Sequence, residues 1–145
     1  MKYFTMFELI FSETALARKI KNETTRQVED NLIDLVDKVL DPLRARWGKP
    51  LKVNSGYRCP RLNAAVGGVI TSQHTKGEAV DVTTGTEQGN KDLVRLIMTM
   101  NLPVDQVIFE NTWVHISHRM GYNRKQFLQM NKIGGKTVYS KCDLK

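Results

Sequence analysis

The sequence is poor in residues that define several familiar kinds of site. It has only two cysteines, Cys59 and Cys142, in 145 residues, and they lack the Cys-x-x-Cys spacing of a structural zinc site. Two cysteines so far apart in a protein made in the cytoplasm are more often free thiols than a disulfide. No internal repeat or low-complexity segment is present.

Long apolar runs are also missing. No run approaches the roughly 20 residues that a transmembrane helix needs. The apolar N-terminal segment 1–11 is short, contains Glu8 and has no small-residue cleavage site, so we expect folded structure there and not a secretory signal. We therefore expect synthesis in the cytoplasm without a signal peptide, so that any action outside the cytoplasm needs another route of release.

Acidic residues are scarce only near the C-terminus. The net charge is +7, and residues 116–145 carry seven Lys or Arg against the single acid Asp143. Such a segment suits an anionic partner such as nucleic acid, a membrane surface or an anionic cell envelope, although ordinary solubility explains it equally well. We do not expect nucleic-acid binding, because no helix-turn-helix, zinc-finger or RNA-binding signature accompanies the charge.

The length and the 41% apolar content predict one globular domain over residues 1–145. Ser12 predicts the N-cap of a helix over residues 13–21. Apolar residues then recur at helical spacing over 28–47. Pro42 should kink or interrupt this longer helix, because it lacks an N–H, and Gly48 should end it.

The pattern changes after Pro50. Short apolar or alternating runs predict strands, and turn residues separate them. Because helices come first and strands concentrate later, the sequence predicts an α+β domain with N-terminal helices packed on a small, mostly antiparallel sheet. The expected strands are 51–55, 79–82, 106–109, 113–117, 127–130 and 137–140, and two further helices are expected at 60–66 and 88–100.

Histidine is rare enough that each one is informative: the chain has three. His74 lies in a polar, glycine-flanked loop, Asp81 lies in a strand otherwise made of Ala and Val, and His115 lies between two apolar strand residues. A buried carboxylate needs a partner. A metal ion is one such partner, and an arginine or a helix N-terminus is another. A strand histidine can equally be a satisfied core residue.

Two histidines and one aspartate form a suitable catalytic zinc site. Imidazole nitrogen and carboxylate oxygen suit this ion, and three protein ligands leave a fourth position for water. The spacing alone does not distinguish such a site from a chance arrangement.

Several motifs follow one another in order along the chain. They are Ser55-Gly56-Tyr57-Arg58, Leu62-Asn63, Val66-Gly67-Gly68, Ser72-Gln73-His74 with Gly77, Ala79 and Asp81, and Trp113-Val114-His115-Ile116-Ser117. Together they resemble the zinc D-Ala-D-Ala carboxypeptidase family, which includes cell-wall carboxypeptidases, vancomycin-resistance dipeptidases and phage endolysins, and whose fold is similar to that of the hedgehog signalling domain. The resemblance covers the core 51–117 and leaves the basic C-terminal segment 118–145 outside it.

The resemblance implies a zinc metallopeptidase that cleaves peptidoglycan peptides. One zinc ion would be held by His74, Asp81 and His115. Arg58 would bind substrate and stabilise negative charge that develops on the scissile carbonyl; the alternative for it is a structural salt bridge. The first-ligand loop would be shaped by Ser72 and Gln73, which could also contact substrate.

The general base departs from the family pattern. Many members place an acid three residues before the last histidine, where this chain has Thr112, and some place a second histidine where it has Trp113. The nearest acid is Glu110, which a tight turn could bring to the zinc-bound water. We therefore expect Glu110 to be the base, whereas His118 should face away from His115 because of its odd spacing on a strand.

Several readings stay open at this level. The enzyme could be a D,D-carboxypeptidase or an endopeptidase, and its small size, lack of a signal peptide and basic C-terminus favour a phage-type lysin that acts as a monomer on the cell wall. The basic segment could hold anionic envelope polymers. Alternatively, the missing acid at position 112 is compatible with a zinc-containing, non-catalytic binding module of the same fold.

Overall fold

Helices fill the N-terminal third of the chain, and their ends follow local capping rules. In the computed structural model, which describes residues 1–144, α1 spans Met6–Ile10, α2 Glu13–Ala17, α3 Arg26–Leu35 and α4 Asp41–Trp47. Ser12 caps α2 by accepting a hydrogen bond from the Ala15 N–H, as predicted. The helix ends earlier than the predicted residue 21, because Lys19 adopts a left-handed φ of 55°.

Helix α1 was not predicted. Its five residues are too few to show a helical period, yet Thr5 and Glu8 form a reciprocal capping box at its start. Side-chain capping thus stabilises a helix that the apolar pattern does not reveal.

The predicted interruption at Pro42 is present and has a specific form. A π-helical turn, Val36–Leu40, joins α3 to α4, and the Asp41 N–H donates to the Val36 carbonyl five residues back. Proline at this point removes an N–H donor, and the wider turn accommodates that loss. Gly48, with φ 76°, ends α4 as predicted.

The second part of the chain forms one six-stranded sheet in the order β1-β2-β4-β3-β5-β6. The predicted α+β class and mostly antiparallel pairing are confirmed, with β3 and β5 as the parallel pair. The strands are β1 Lys52–Ser55, β2 Ala79–Thr83, β3 Gln106–Phe109, β4 Val114–Ser117, β5 Gln126–Ile133 and β6 Lys136–Lys141. The remaining helical elements are α5 Pro60–Ala65, a 3₁₀ turn Gln73–Lys76 and α6 Glu87–Met100.

One face of the sheet packs against the helices and forms the core. Val80, Val82, Val114 and Ile116 are fully buried there. They join the leucines of α3 and α4 and the apolar face of α6 in one cluster. Because strand side chains alternate between faces, the residues between them, including Asp81 and His115, point to the opposite face. That face carries the site.

The C-terminal segment forms a hairpin of β5 and β6. Gly134 and Gly135 form its turn with positive φ angles of 58° and 79°. Asp105, which precedes β3, anchors the approach to the hairpin, because it accepts hydrogen bonds from the Arg124 side chain at 3.0 and 2.7 Å. The last basic residue, Lys145, lies outside the described residues.

Cys59 and Cys142 are both buried and free, as expected. Within residues 1–144, none of the helices has the length and apolar character that a membrane span requires.

Candidate metal centre

The sheet register places Asp81 directly beside His115. The two residues are partners in the antiparallel pair of β2 and β4, so their side chains project from the same face. Asp81 Oδ1 lies 3.0 Å from His115 Nδ1. The neighbours Val80 and Ile116 pack in the core on the other face and thereby fix the direction of both polar side chains.

His74 reaches the same point from the 3₁₀ turn. The Ser72 hydroxyl accepts a hydrogen bond from the His74 N–H at the start of this turn, and Gly77 ends it with a φ of 73°. Glycine suits position 77 for a second reason, because a Cβ there would lie 2.6 Å from the Val28 carbonyl oxygen. His74 is 3% exposed, and its Nε2 lies 3.4 Å from Asp81 Oδ1.

The segment Gly56–Arg58 holds His74 from behind. His74 Nδ1 lies 2.7 Å from the Gly56 carbonyl oxygen, and the Arg58 N–H donates to the His74 carbonyl at 3.0 Å. Gly56 itself packs against α1, where a Cβ would lie 2.1 Å from the Leu9 carbonyl oxygen. The Ser-Gly-Tyr-Arg motif therefore supplies a backbone that fits between α1 and the histidine.

A metal ion fits this arrangement. One ligand atom each from His74, Asp81 and His115 lies within 4.8 Å of the others. Since a carbonyl oxygen can only accept, the Gly56 contact assigns a proton to Nδ1 of His74, so Nε2, which faces Asp81, is the nitrogen that would bind a metal. Two imidazoles and one carboxylate are a donor set that suits zinc.

The charge state of Asp81 agrees with a ligand role. The carboxylate is 9% exposed, and burial alone would raise its pKa. Hydrogen bonds and charge interactions with His115 and His74 outweigh burial and hold the pKa of Asp81 well below its usual range. The site therefore presents an ionised acid at neutral pH.

Glu110 is brought to the site by the tight turn between β3 and β4. Asn111 adopts a left-handed φ of 62°, and the Glu110 N–H donates to the Trp113 carbonyl at 3.0 Å. The Trp113 indole N–H donates to the Glu110 carboxylate at 2.9 Å. Burial, followed by the charge of Asp81, raises the pKa of Glu110. The acid thus lies in the same cleft as the three metal-ligand candidates.

Arg58 also lines the cleft. Burial lowers the pKa of its guanidinium despite the opposing charges of Asp81 and Glu110. Its Nε is buried and has no hydrogen-bond partner among residues 1–144. A buried donor without a partner is unfavourable, so the described residues leave this nitrogen unsatisfied. Within residues 1–144, Arg58 forms no salt bridge.

The loop between α5 and the 3₁₀ turn forms another wall of the cleft. Ser72 and Gln73 line it together with Gly68 and Val69. Asn63 is 2% exposed and holds this loop, because its side-chain N–H donates to the Val69 carbonyl at 2.8 Å. A Cβ on Gly68 would lie 2.1 Å from the Asn63 side-chain oxygen. The Leu-Asn and Val-Gly-Gly motifs therefore shape the cleft wall.

His118 does not join the site, as predicted. Its Nε2 lies 2.7 Å from Asp34 Oδ2 in α3, and its Nδ1 contacts the Pro103 carbonyl. Hydrogen bonds from His118, together with Lys38, overcome the effect of burial and lower the pKa of Asp34. This histidine ties the end of β4 to α3.

Two cleft residues from the C-terminal segment, Arg124 and Tyr139, were missed in the sequence. Both belong to the segment 118–145, whose basic composition indicated only an anionic partner. Side chains along a strand alternate between the two faces of the sheet. The face on which Tyr139 lies could not be assigned before the pairing of β5 with β3 was known.

Comparison with known proteins completes the description of the site. The model of the family described as Peptidase M15 matches residues 2–117. This match contains all three metal-ligand candidates, Arg58 and Glu110, and ends at the last residue of β4. The sequence matches no curated protein.

Proposed function

The chain belongs to the peptidase M15 family of zinc metallopeptidases, and we propose that it hydrolyses an amide bond in peptidoglycan stem or cross-link peptides. The observation that carries the proposal is the convergence of His74, Asp81 and His115 in a cleft that also contains Glu110 and Arg58. The first three residues would be metal ligands, and the other two add a carboxylate and a positive charge to the same cleft.

The metal would be one zinc ion held by His74, Asp81 and His115. When bound, zinc polarises a carbonyl oxygen and lowers the pKa of a water molecule. The contact between His74 and Gly56 supports this assignment, because ligating histidines normally donate their other ring N–H to a fixed acceptor.

Glu110 is proposed as the general base. Its carboxylate would take a proton from the attacking water and pass it to the leaving amine nitrogen. The Trp113 indole hydrogen bond restrains the carboxylate, and the raised pKa brings its basicity closer to that needed near neutral pH. The tight turn at Asn111 would allow an acid five residues before His115 to act as the general base where position 112 is threonine.

Arg58 is proposed to bind the substrate carbonyl or carboxylate. Its charge is permanent, and its guanidinium, which lines the cleft, would donate to an oxygen that gains negative charge during attack. Ser72 and Gln73, which also line the cleft, would contact the peptide, although the Ser72 hydroxyl already accepts from the His74 N–H.

The finer identity that we propose is a D,D-carboxypeptidase or peptidoglycan endopeptidase that acts at the cell wall as a monomer. We propose that it is of the phage-lysin type, in which the basic C-terminal residues would hold anionic envelope polymers. A carboxypeptidase needs a pocket that recognises the terminal carboxylate, whereas an endopeptidase needs a groove open at both ends.

The test is incubation of the zinc-loaded protein with purified peptidoglycan, followed by mass spectrometry of the soluble muropeptides. Release of single D-alanine residues would identify a carboxypeptidase, and new amino termini at cross-links would identify an endopeptidase. Exhaustive chelation should abolish either product, and zinc should restore it. Zinc binding with no hydrolysis of any peptidoglycan type would overturn the proposal in favour of a non-catalytic binding module.

A further inference from the structure

The cleft extends beyond the part of the chain that the family match covers. Residues 2–117 supply the metal-ligand candidates, but one wall of the same cleft comes from Tyr139 in β6. This strand lies at the edge of the sheet, three positions away from β4 in the strand order. The hairpin of β5 and β6 is therefore an addition that reaches the site.

The register of the three strands explains how Tyr139 arrives there. Phe109 of β3 pairs with Gln129 of β5, and Met130, the next residue of β5, pairs with Tyr139 of β6. Glu110 follows Phe109 and therefore continues the same row as Met130 and Tyr139. Paired residues of neighbouring strands project from the same face, so this row places the acid and the tyrosine on the cleft side of the sheet.

The two side chains share this row and line the same cleft. Burial, followed by the charge of Glu110, raises the pKa of Tyr139. A tyrosine with a raised pKa stays protonated at neutral pH and can donate to a carboxylate. Half of its surface remains exposed, so the ring also faces whatever occupies the cleft.

We propose that Tyr139 is a positioning residue of the active site, supplied by the C-terminal hairpin, whose hydroxyl holds the Glu110 carboxylate and whose ring forms the substrate wall beside it. This inference rests on the proposed function of Glu110. Together with the Trp113 indole, which donates to the same carboxylate at 2.9 Å, the hydroxyl would supply a second donor and fix the orientation of the carboxylate from two sides. The remaining exposed edge of the ring offers an apolar surface for the peptide.

Two substitutions separate the hydroxyl from the ring. Tyr139→Phe removes only the donor and should reduce kcat about 10-fold or more with little change in KM, because a hydrogen bond to a charged group is worth roughly 1.5–3 kcal/mol. Tyr139→Ala also removes the wall and should raise KM as well. Tyr122→Phe is the matched control: Tyr122 is 74% exposed in the loop before the hairpin and does not line the cleft.

The measurements are steady-state hydrolysis of a synthetic stem pentapeptide or a cross-linked muropeptide, whichever the protein cleaves, and thermal unfolding of each variant. A Tyr139→Phe variant with wild-type kcat would overturn the role of Tyr139 and leave the proposed function intact. A loss of kcat that matches a loss of folded protein would also overturn it.

A direct binding measurement separates this inference from the function itself. If the wild-type protein cleaves neither substrate, calorimetric titration of the zinc-loaded protein with the pentapeptide tests whether the Tyr139 ring forms a wall of the substrate cleft. If Tyr139→Ala binds the pentapeptide at least about fivefold more weakly than Tyr122→Ala, the role of the ring as a substrate wall is supported, although the catalytic proposal fails. Equal affinities, or no binding by the wild type, would overturn the inference.

Discussion

Nδ1 of His74 donates a hydrogen bond to the Gly56 carbonyl oxygen over 2.7 Å. This contact links the first metal-ligand candidate to a glycine that is itself in close contact with α1. The ring orientation therefore depends on packing outside the cleft. A site built this way is organised before any ion binds, and its parts can be tested separately.

Loss of a metal ligand should abolish zinc binding without unfolding the chain. His74→Ala, Asp81→Ala and His115→Ala are each expected to reduce bound zinc from about one equivalent to a small fraction, because three protein ligands are the minimum of a catalytic site. Elemental analysis after dialysis measures the stoichiometry, and circular dichroism checks the fold.

His118→Gln is the matched control for these variants. It should lower the free energy of unfolding, since it removes the contact with Asp34, yet retain about one equivalent of zinc. Zinc loss in this variant at temperatures where it stays folded would contradict the assignment of the ligands.

Substitution of the proposed base should separate metal binding from turnover. Glu110→Gln keeps the size and the capacity to accept the Trp113 hydrogen bond but cannot take a proton. We expect normal zinc content and a kcat reduced roughly 10²–10⁴-fold. Hydrolysis of peptidoglycan peptides measures the rate, and Glu78→Gln, outside the cleft, is the control. A near-normal rate of hydrolysis by Glu110→Gln would show that another group is the general base.

A methyl group on Gly56 should damage both the fold and the metal site. The added Cβ would lie 2.1 Å from the backbone oxygen of Leu9, so Gly56→Ala must displace the segment that holds His74. We expect a loss of about 1–3 kcal/mol in the free energy of unfolding, measured by urea titration, and weaker zinc affinity, measured by competition with a chelator.

Gly48→Ala provides the comparison. It has open space around the added Cβ but a left-handed φ of 76°, so it should cost about 1–2 kcal/mol through backbone strain and leave zinc affinity unchanged. Equal zinc affinities of the two variants would show that Gly56 does not orient His74.

Local sequence was sufficient for most of the fold. Capping by Ser12, the break at Pro42 and the alternation around Asp81 and His115 are decided by neighbours a few residues away, and each was predicted. The motifs in 51–117 also predicted which residues meet at the metal centre, because their order matches a known family.

Contacts that depend on strand pairing were beyond such reasoning. Glu110 could be proposed only as the nearest acid, since the turn at Asn111 sets its direction. Tyr139 reaches the cleft through two successive registers, from β3 to β5 and from β5 to β6. A register shift of one residue would reverse its face, and no local pattern determines the parallel pairing. The residues added by the hairpin therefore required the structure.

Asp105 should make the stability of the protein sensitive to acid. This carboxylate is fully buried, which opposes ionisation, but hydrogen bonds from the Arg124 side chain and backbone, with the charges of Arg124 and Arg119, lower its pKa from 3.8 to about 2. A folded-state pKa below the unfolded value means a contribution to stability that is complete above about pH 4 and is lost as the pH falls towards 2.

Asp105→Asn should therefore be costly at neutral pH and progressively less so in acid. Because the pKa of Asp105 falls from 3.8 to about 2 on folding, we expect a loss of about 2–3 kcal/mol at pH 7, measured by urea unfolding, with the difference from wild type shrinking between pH 4 and pH 2. Asp92→Asn, which breaks the exposed pair with Arg95, should cost less than about 1 kcal/mol. A pH-independent difference for Asp105→Asn would show that the ion pair is not its cause. Since the Arg124 backbone N–H and guanidinium, just before β5, donate to the Asp105 carboxylate, the substitution should also loosen the hairpin and lower the proposed peptidase activity before the rest of the domain unfolds.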